Sequence, residues 1–448
     1  MKATGRALAS ALGALAAAGL AGPASAQDAH YWAQQYGTRS ELLGGTVVGS
    51  PQDLSTTYYN PGGLAFLESP SFLFSALGLE YESYAIDRDD TPSTQFGASR
   101  FGAAPSIFTG TFPRSWTEST LAYSFLTRQK LDARIDTWRT IGSDPDAPLA
   151  NLLIDAKLTE NWGGITWSRA LGTVGVGATL FGVYRSQRAR EEILAQPVPI
   201  EGGQLAFATV NEYHYWHTRA LAKLGVYWQR GVTSVGLTYT TPGLPLFGSA
   251  GAAYYRNIDV PPPESDVDEA FADEDSGVTY RSPMSAAIGA RWSRGQWAIY
   301  ATAEWFDSVD PYRVVTVRED TGAGTGTTLD PLVTQELESV LNLGVGAEFA
   351  PRANLTFFGS FVSDHSAADD DPLTGHSLAT WDTYQATLGA AFTAISSDFT
   401  LGVSVAGGHA PLDLRLDYGG LQGEGRGRVT YRRVKIFLGF EFGGTRIG

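Results

Sequence analysis

This 448-residue chain has six histidines and no cysteine, so imidazole or thiolate chemistry has few places to sit. His214 and His217 are three apart, which puts them on opposite faces of a strand and argues against shared metal ligation. His365, His376 and His409 fall in polar connecting segments, and His30 lies near the N-terminus. No G-x-S-x-G, H-E-x-x-H or P-loop spacing occurs. A surface lipase or protease would have to assemble dispersed Ser and His residues, and the expectation is a protein that is not an enzyme and needs no cofactor. The stretch 259–275 carries eight carboxylates, with Asp266 and Asp268 at a spacing that suits a hard divalent cation. The glycine and closing glutamate of a calcium loop are not at their offsets, so a solvated acidic loop is the simpler reading, as it is for Asp369-Asp370-Asp371.

Cations at alternate positions are the other candidates. Over Leu121–Ile135, Leu121, Tyr123, Phe125, Leu131, Ala133 and Ile135 share one parity, and Ser124, Arg128, Lys130, Asp132 and Arg134 share the other. Side chains alternate across a strand, so one face is apolar and the other charged. Arg128, Lys130 and Arg134 suit an anionic head group such as a carboxylate, or equally a wall carboxylate such as Asp132 or Asp136. Arg185, Arg188 and Arg190 crowd one strand end, and Arg432 and Arg433 another; they suit lipopolysaccharide phosphates or simple solvated capping.

The elements that hold these residues read as strands of an exported barrel. Lys2 and Arg6, the apolar run Ala7–Leu20 and Ala24-Ser25-Ala26 form a secretion signal, 1–26. No later run of about 18 apolar residues is present, so helical membrane spans are not expected. Glycine at 52, aromatics at 12 % and charged residues at 18 % favour an antiparallel transmembrane β-barrel over a soluble sandwich. The formal charge of −15, two units more negative without Lys2 and Arg6, argues against nucleic-acid partners.

Connection lengths support the barrel. Tight links at 112–115, 170–173, 229–232, 293–296, 350–353 and 395–398 alternate with long polar segments near 87–100, 137–152, 191–204, 249–277, 307–338, 363–381 and 409–427. Short periplasmic turns and long external loops are the asymmetry of a bacterial outer-membrane barrel. Six turns and seven loops join fourteen strands, placed at 71–86, 101–112, 116–136, 153–169, 174–190, 205–229, 233–248, 278–293, 296–306, 339–350, 353–362, 382–394, 398–408 and 428–442. Trp138, Trp162, Trp167, Trp216, Trp228, Trp292, Trp297, Trp305 and Trp381 fall near strand ends, where interfacial girdles need them.

The segment 27–70 alternates like none of these strands. Gly44-Gly45 and Gly49 interrupt it, Asp53-Leu54-Ser55-Thr56 reads as a turn, and Tyr58-Tyr59-Asn60-Pro61-Gly62-Gly63 is dense in turn chemistry. Its Leu42, Leu43, Val47, Val48, Leu54, Leu64 and Phe66 are too apolar to leave in water, so the segment should pack inside something. Here the sequence resembles the long-chain fatty-acid transporter (FadL) family of outer-membrane proteins, whose N-terminal hatch carries Asn-Pro-Ala before the first strand. Asn60-Pro61-Gly62 matches, with Gly62 in place of alanine. Diffuse likeness continues through Gly236–Gly248, Ser282-Pro283-Met284-Ser285 and the pair 343–349 and 355–361.

The resemblance implies fourteen strands closed around a hatch, 27–70, within a barrel, 71–442. It implies hatch-gated passive uptake of a hydrophobic or amphipathic small molecule, either a long-chain fatty acid or an aromatic hydrocarbon, with lateral exit. Gating would rest on Tyr58, Tyr59, Asn60, Pro61 and Gly62. Outer-membrane lipid and the barrel-assembly machinery are the other expected partners. That machinery commonly reads a terminal aromatic, but here a tail, 443–448, follows Phe442. A structural or surface-interaction barrel without transport is the competing reading.

Overall fold

A computed structural model of the chain describes residues 29–67, 72–88, 96–104, 107–112, 119–140, 149–200, 203–259, 266–316, 333–368, 381–394, 397–418 and 421–442. The expected leader, the C-terminal tail, His376 and Asp369-Asp370-Asp371 lie outside them. The wall is a closed antiparallel barrel of fourteen strands. They are β1 (Phe72–Arg88), β2 (Phe96–Ala104 and Ile107–Thr111), β3 (Ser119–Thr140), β4 (Leu149–Leu171), β5 (Val174–Ile200), β6 (Gly203–Arg230) and β7 (Thr233–Thr240 and Leu244–Asp259). The circuit continues through β8 (Val267–Val278 and Ser285–Arg294), β9 (Trp297–Phe306 and Val309–Thr316), β10 (Val333–Leu337 and Val340–Arg352) and β11 (Leu355–Asp364). It ends with β12 (Thr383–Ala394), β13 (Ser397–Tyr418) and β14 (Leu421–Phe442). Closure is direct, with Phe72 opposite Phe442 and Tyr81 opposite Val434, so β1 has no free edge along this ladder.

Every expected strand is present, but the long polar segments are mostly not loops. The β5–β6 ladder runs up to Ile200 opposite Gly203, and β13–β14 up to Tyr418 opposite Leu421. The acidic run is strand as well, with Val267 opposite Ile258 and Ser276 opposite Ala250. These hairpins stand beyond the bilayer with water on both faces, so the apolar alternation that marks a spanning strand is lost while the backbone pairing persists. At the other end, Gly172, Gly231 and Gly295 open two-residue turns at φ of 64°, 60° and 62°, the left-handed conformation that a tight hairpin requires there.

Outward residues form an apolar band that water would not tolerate: Leu180, Leu388 and Leu224 are 64 %, 71 % and 48 % exposed. Trp167, Trp228, Trp292 and Trp297 are exposed near the short turns, and Trp216 and Trp305 toward the opposite end. Twelve residues separate Trp228 from Trp216 on β6, which at roughly 3.3 Å per residue and a tilt near 40° spans about 30 Å of membrane. Trp162 and Trp381 are corrections to the girdle expectation, since both are buried and face inward. No helix among the described residues is long and apolar enough to cross a membrane.

Residues 29–67 lie against the inward side of the wall. They form two single-turn helices, α1 (Arg39–Leu42) and α2 (Thr56–Tyr59), and a 3-10 turn, Pro61–Phe66. Buried Asp53 organises this segment: its carboxylate accepts from the backbone N–H groups of Thr38 at 3.0 Å, Ser40 at 3.0 Å and Ser55 at 2.9 Å. The Asp-Leu-Ser-Thr turn seen in the sequence is therefore an Asx turn whose acceptor also holds α1. Attachments run around the circumference. Tyr36 donates to Thr127 O on β3 at 3.0 Å, Thr179 on β5 to Thr57 O at 2.8 Å and Ser234 on β7 to Gly49 O at 2.7 Å. Trp32 N–H donates to Asp364 on β11 at 2.9 Å, Arg39 pairs with Asp398 on β13 at 2.8 Å, and Glu41 pairs with Lys435 on β14 at 2.5 Å.

Candidate functional site

Asn60 is extended (φ −154°, ψ 96°), as a residue preceding proline must be, and its side chain makes three bonds. The amide nitrogen donates to Val48 O at 2.8 Å within the segment and to Val226 O on β6 at 3.0 Å, while the amide oxygen accepts from Gly62 N at 3.0 Å. One short side chain thus caps the 3-10 turn and joins it to the wall. Gly62 stands where a Cβ would come within 2.7 Å of Gly225 O and 2.8 Å of Gly175 O, both wall backbone. Alanine does not fit here unless the segment moves away from β5 and β6. A Cβ on wall residue Gly236 would sit 1.9 Å from Val48 O, and one on Gly289 2.5 Å from Gly49 N, so glycines on both partners let backbone rest on backbone.

Above this seat, Tyr36, Tyr58 and Tyr59 pack edge-on, with Tyr36 and Tyr58 centroids 4.6 Å apart and Tyr58 and Tyr59 5.2 Å apart. Burial pushes the Tyr58 phenol up to about 12, so it is a neutral surface at ordinary pH. Tyr58 also faces Trp162 on β4, 6.1 Å away.

Of the three cations expected in the lumen, one is there. The β3–β4 register slips between Thr127 and Gln129, leaving Arg128 as the extra residue of a bulge. Leu126, Arg128 and Gln129 all point inward and are buried. Beyond the bulge the parity is reversed, so Lys130, opposite Thr159, and Arg134, opposite Asp155, face outward and are exposed. An uninterrupted alternation over Leu121–Ile135 hid this slip. Arg134 reaches Asp155 at 3.9 Å, an exposed contact of little energetic weight.

Arg128 instead borders a cavity of about 60 Å³ bounded by Tyr58, Trp162, Arg219, Lys223, Glu304 and Phe306. Its guanidinium lies 5.9 Å from the Trp162 ring centroid, and its Nη1 has no hydrogen-bond partner. Glu160, on β4, is shared by Arg219 at 2.8 Å and Arg185 at 3.0 Å, both fully enclosed. Arg185 is further held by Tyr215 at 3.0 Å and Gln129 at 2.8 Å, and lies over the Tyr280 ring at 4.1 Å. Lys223 stacks on Tyr58 at 4.6 Å. Glu304 is occupied by Trp32 Nε1 at 2.7 Å and Ser285 Oγ at 2.8 Å. Four buried cations, Arg128, Arg185, Arg219 and Lys223, therefore face two carboxylates, Glu160 and Glu304, and Arg219 Nη1 is also unpartnered. The chamber holds excess positive charge beside aromatic and aliphatic surface, where low polarity magnifies attraction for an anion.

Glu160, Arg219, Lys223 and Glu304 were not candidates from the sequence, although Arg219-Leu221-Lys223 carries the inward parity of β6. Arg185 was assigned to a strand end, but β5 continues to Ile200, which places Arg185 in mid-strand facing inward. Arg188 and Arg190 do lie high on β5, already paired with Glu212 at 2.6 Å and 3.2 Å. Arg432 is exposed, whereas Arg433 is buried and donates to Ala33 O at 2.7 Å and Gln385 at 2.7 Å, binding the N-terminal segment rather than surface phosphate. His214 and His217 face opposite sides, as their spacing requires, and His30 contacts Trp381 O at 2.8 Å. Among the described residues no group of three or more His, Asp or Glu is placed to hold a metal ion.

No family model matches the chain, and no curated protein matches it by sequence. Solved structures do match in fold. A Pseudomonas aeruginosa FadL homologue superposes with a TM-score of 0.60 at 13% identity, covering 93% of this chain and 100% of the other. The Pseudomonas putida toluene transporter TodX gives 0.61 at 11% identity, covering 95% and 100%. The Ralstonia pickettii toluene transporter TbuX gives 0.56 at 13% identity, covering 92% and 99%. At these identities the shared property is the barrel fold.

Proposed function

We propose that this chain is an outer-membrane channel for passive uptake of a hydrophobic small molecule bearing an anionic head group, with residues 29–67 as the hatch. The carrying observation is the excess of Arg128, Arg219 and Lys223 over their carboxylates in a chamber that also offers Tyr58, Trp162, Leu221 and Phe306. A carboxylate would replace the missing partners of Arg128 Nη1 and Arg219 Nη1, and an alkyl or aryl tail would cover the aromatic surface. The named neighbours include toluene transporters. A neutral hydrocarbon would leave these guanidinium groups uncompensated, so the charge favours the fatty-acid side of the two substrate classes that the FadL resemblance implies.

The hatch role is supported by the glycine seat and by attachments from β3 round to β14. A barrel of fourteen strands is wide enough to need a stopper. Lateral exit has a matching weakness in the wall. Ile107–Thr111 of β2 pairs with Ala122–Leu126 of β3, but among the described residues no ladder joins Phe96–Ala104 to the upper half of β3, where the Arg128 bulge lies.

The test is ligand titration of purified protein in detergent with oleate and with toluene. Saturable oleate binding that Arg219→Met weakens by about tenfold is the expected outcome. Toluene binding indifferent to that change, with no oleate binding, would reassign the substrate to the hydrocarbon class. A barrel that binds neither, and whose expression does not alter uptake by cells, would be the surface-interaction protein.

A further inference from the structure

A second discontinuity lies on the opposite wall. Between β7 and β8 the lower ladder ends at Thr240 opposite Ser285, and the upper ladder resumes only at Ala250 opposite Ser276. Residues 241–249 and 277–284 face each other with a single described backbone hydrogen bond between them, Gly243 N to Ser282 O at 3.4 Å. The cause is in the sequence: Pro242 and Pro283 have no N–H to donate, so neither strand can be zipped through this stretch. Each strand keeps its other neighbour, since Leu244 pairs with Ala220 on β6 and Val278 with Val315 on β9. Side chains close the seam instead. Val278 Cγ1 lies against Gly248, and the Arg219 stem and Ser282 Oγ lie against Gly243, each within 2.7 Å of where a Cβ would stand.

The seam has an apolar outside and a cationic inside. Leu244, Leu246 and Phe247 are 65 %, 53 % and 63 % exposed, and β7 bulges outward between Pro245 and Phe247. Arg281 is exposed at the rim and stacks on Tyr312 at 4.9 Å. Its neighbour Tyr280 is buried and lies under Arg219 at 4.8 Å, and Arg219 Nε donates to Ser282 Oγ at 3.1 Å. Tyr280, Ser282, Pro283 and Ser285 also border the chamber that holds Arg128 and Lys223. In depth, Ala286 just below the seam pairs with Trp305, and Ser249 at its top pairs with Trp216. Both tryptophans belong to the outer girdle, so the seam sits where lipid head groups meet the outer leaflet.

From this we infer that the β7–β8 seam is a lateral entrance through which an amphipathic anion dissolved in the outer leaflet slides its head group into the chamber, from Arg281 outside to Arg219 inside. Opening it requires rotation of Val278, Ser282 and Arg219 and the loss of two hydrogen bonds, the long Gly243–Ser282 backbone bond and the Arg219–Ser282 side-chain bond, with no ladder to break. The inference rests on the proposed uptake of a tailed anion and adds the route by which it arrives.

The test exploits the absence of native cysteine. Gly243→Cys with Ser282→Cys staples the seam, because a Cβ at 243 already lies 2.5 Å from Ser282 Oγ. Ala290→Cys with Ala301→Cys staples an intact, outward-facing β8–β9 pair as the control. Each protein is placed in phosphatidylcholine–phosphatidylglycerol vesicles with a diazirine-tailed fatty acid in the bilayer, and labelled residues are mapped by mass spectrometry. Label is expected on Leu221 and the 279–284 stretch of the reduced seam variant, falling about tenfold on oxidation and returning with reductant, while the control does not change. Arg281→Glu, an exposed change that leaves the fold intact, should lower labelling about threefold at unchanged oleate affinity in detergent. Equal labelling in both redox states, or label confined to β2 and β3, overturns the entrance while leaving uptake standing. Absence of saturable oleate binding to the unmodified protein overturns the tailed-anion reading on which this route rests.

Discussion

The Asn60 amide donates to the main-chain oxygen of Val226 on β6 across 3.0 Å, and it is held there by a second bond to Val48 O and by Gly62 N. Replacing Asn60 with alanine removes three bonds from a buried site and leaves Val48 O and Gly62 N without these partners, at a cost of about 1–3 kcal/mol each at most. The proposed hatch, loosened by that amount, should open often enough to leak. Asn60→Ala is expected to raise single-channel ion conductance in planar bilayers and to sensitise cells to large hydrophilic antibiotics, with barrel content by circular dichroism unchanged. Conductance equal to the parent's would mean that this linkage does not hold the hatch shut.

Gly62 tests the same contact by addition rather than removal. A methyl there collides with Gly175 O and Gly225 O, neither of which can move without disturbing a ladder. Gly62→Ala should destabilise the seated hatch by about 1–3 kcal/mol, as overpacking does, and proteolysis within 29–67 should accelerate accordingly. Leu42 offers the complementary case, since it fills the space over Gly389 and Gly402. Leu42→Ala should cost about 2–5 kcal/mol, read as earlier hatch release in a thermal melt.

How much of this was legible depends on what each residue must satisfy. Period-2 alternation identified all fourteen strands because lipid on one face enforces it, and tight glycine turns marked one end of the barrel. The same logic failed outside the membrane, where water wets both faces and the acidic run looks like a loop although Val267–Asp273 pairs residue for residue with β7. It failed again at Arg128, since one extra residue in β3 changes no local composition yet reverses the face of everything after it. The chamber was least legible. Glu160, Arg185, Arg219, Lys223 and Glu304 come from four strands, and only closure of the barrel brings them together.

That reversal can be measured. Lys130→Cys and Arg134→Cys should react with a membrane-impermeant maleimide in the folded protein, whereas Arg128→Cys and Gln129→Cys should react at least about tenfold more slowly, given their burial. Lys130→Glu and Arg134→Glu should leave oleate affinity unchanged within about twofold, because screened charges outside the wall act weakly on the lumen. Maleimide labelling of Arg128→Cys as fast as Lys130→Cys would place the bulge elsewhere.

Glu160 tests the proposed selection of an anion by the chamber. Its carboxylate is bonded to both Arg185 and Arg219, so Glu160→Gln keeps the shape, the acceptor oxygen and the Trp162 contact region while removing the negative charge. The chamber then gains a full unit of positive charge, and a bound carboxylate no longer competes with Glu160 for Arg219. Two effects oppose each other: stronger attraction for the ligand, and a fold that now buries two guanidinium groups with no counter-ion, which costs about 3–5 kcal/mol. The expected outcome is a lower melting temperature without ligand and a larger stabilisation by saturating oleate than the parent shows, since ligand that binds only the folded state adds RT ln(1 + [L]/Kd). Oleate that stabilises Glu160→Gln less than the parent would mean that the head group sits away from Arg219, and would move the anion site toward Arg128 and Lys223.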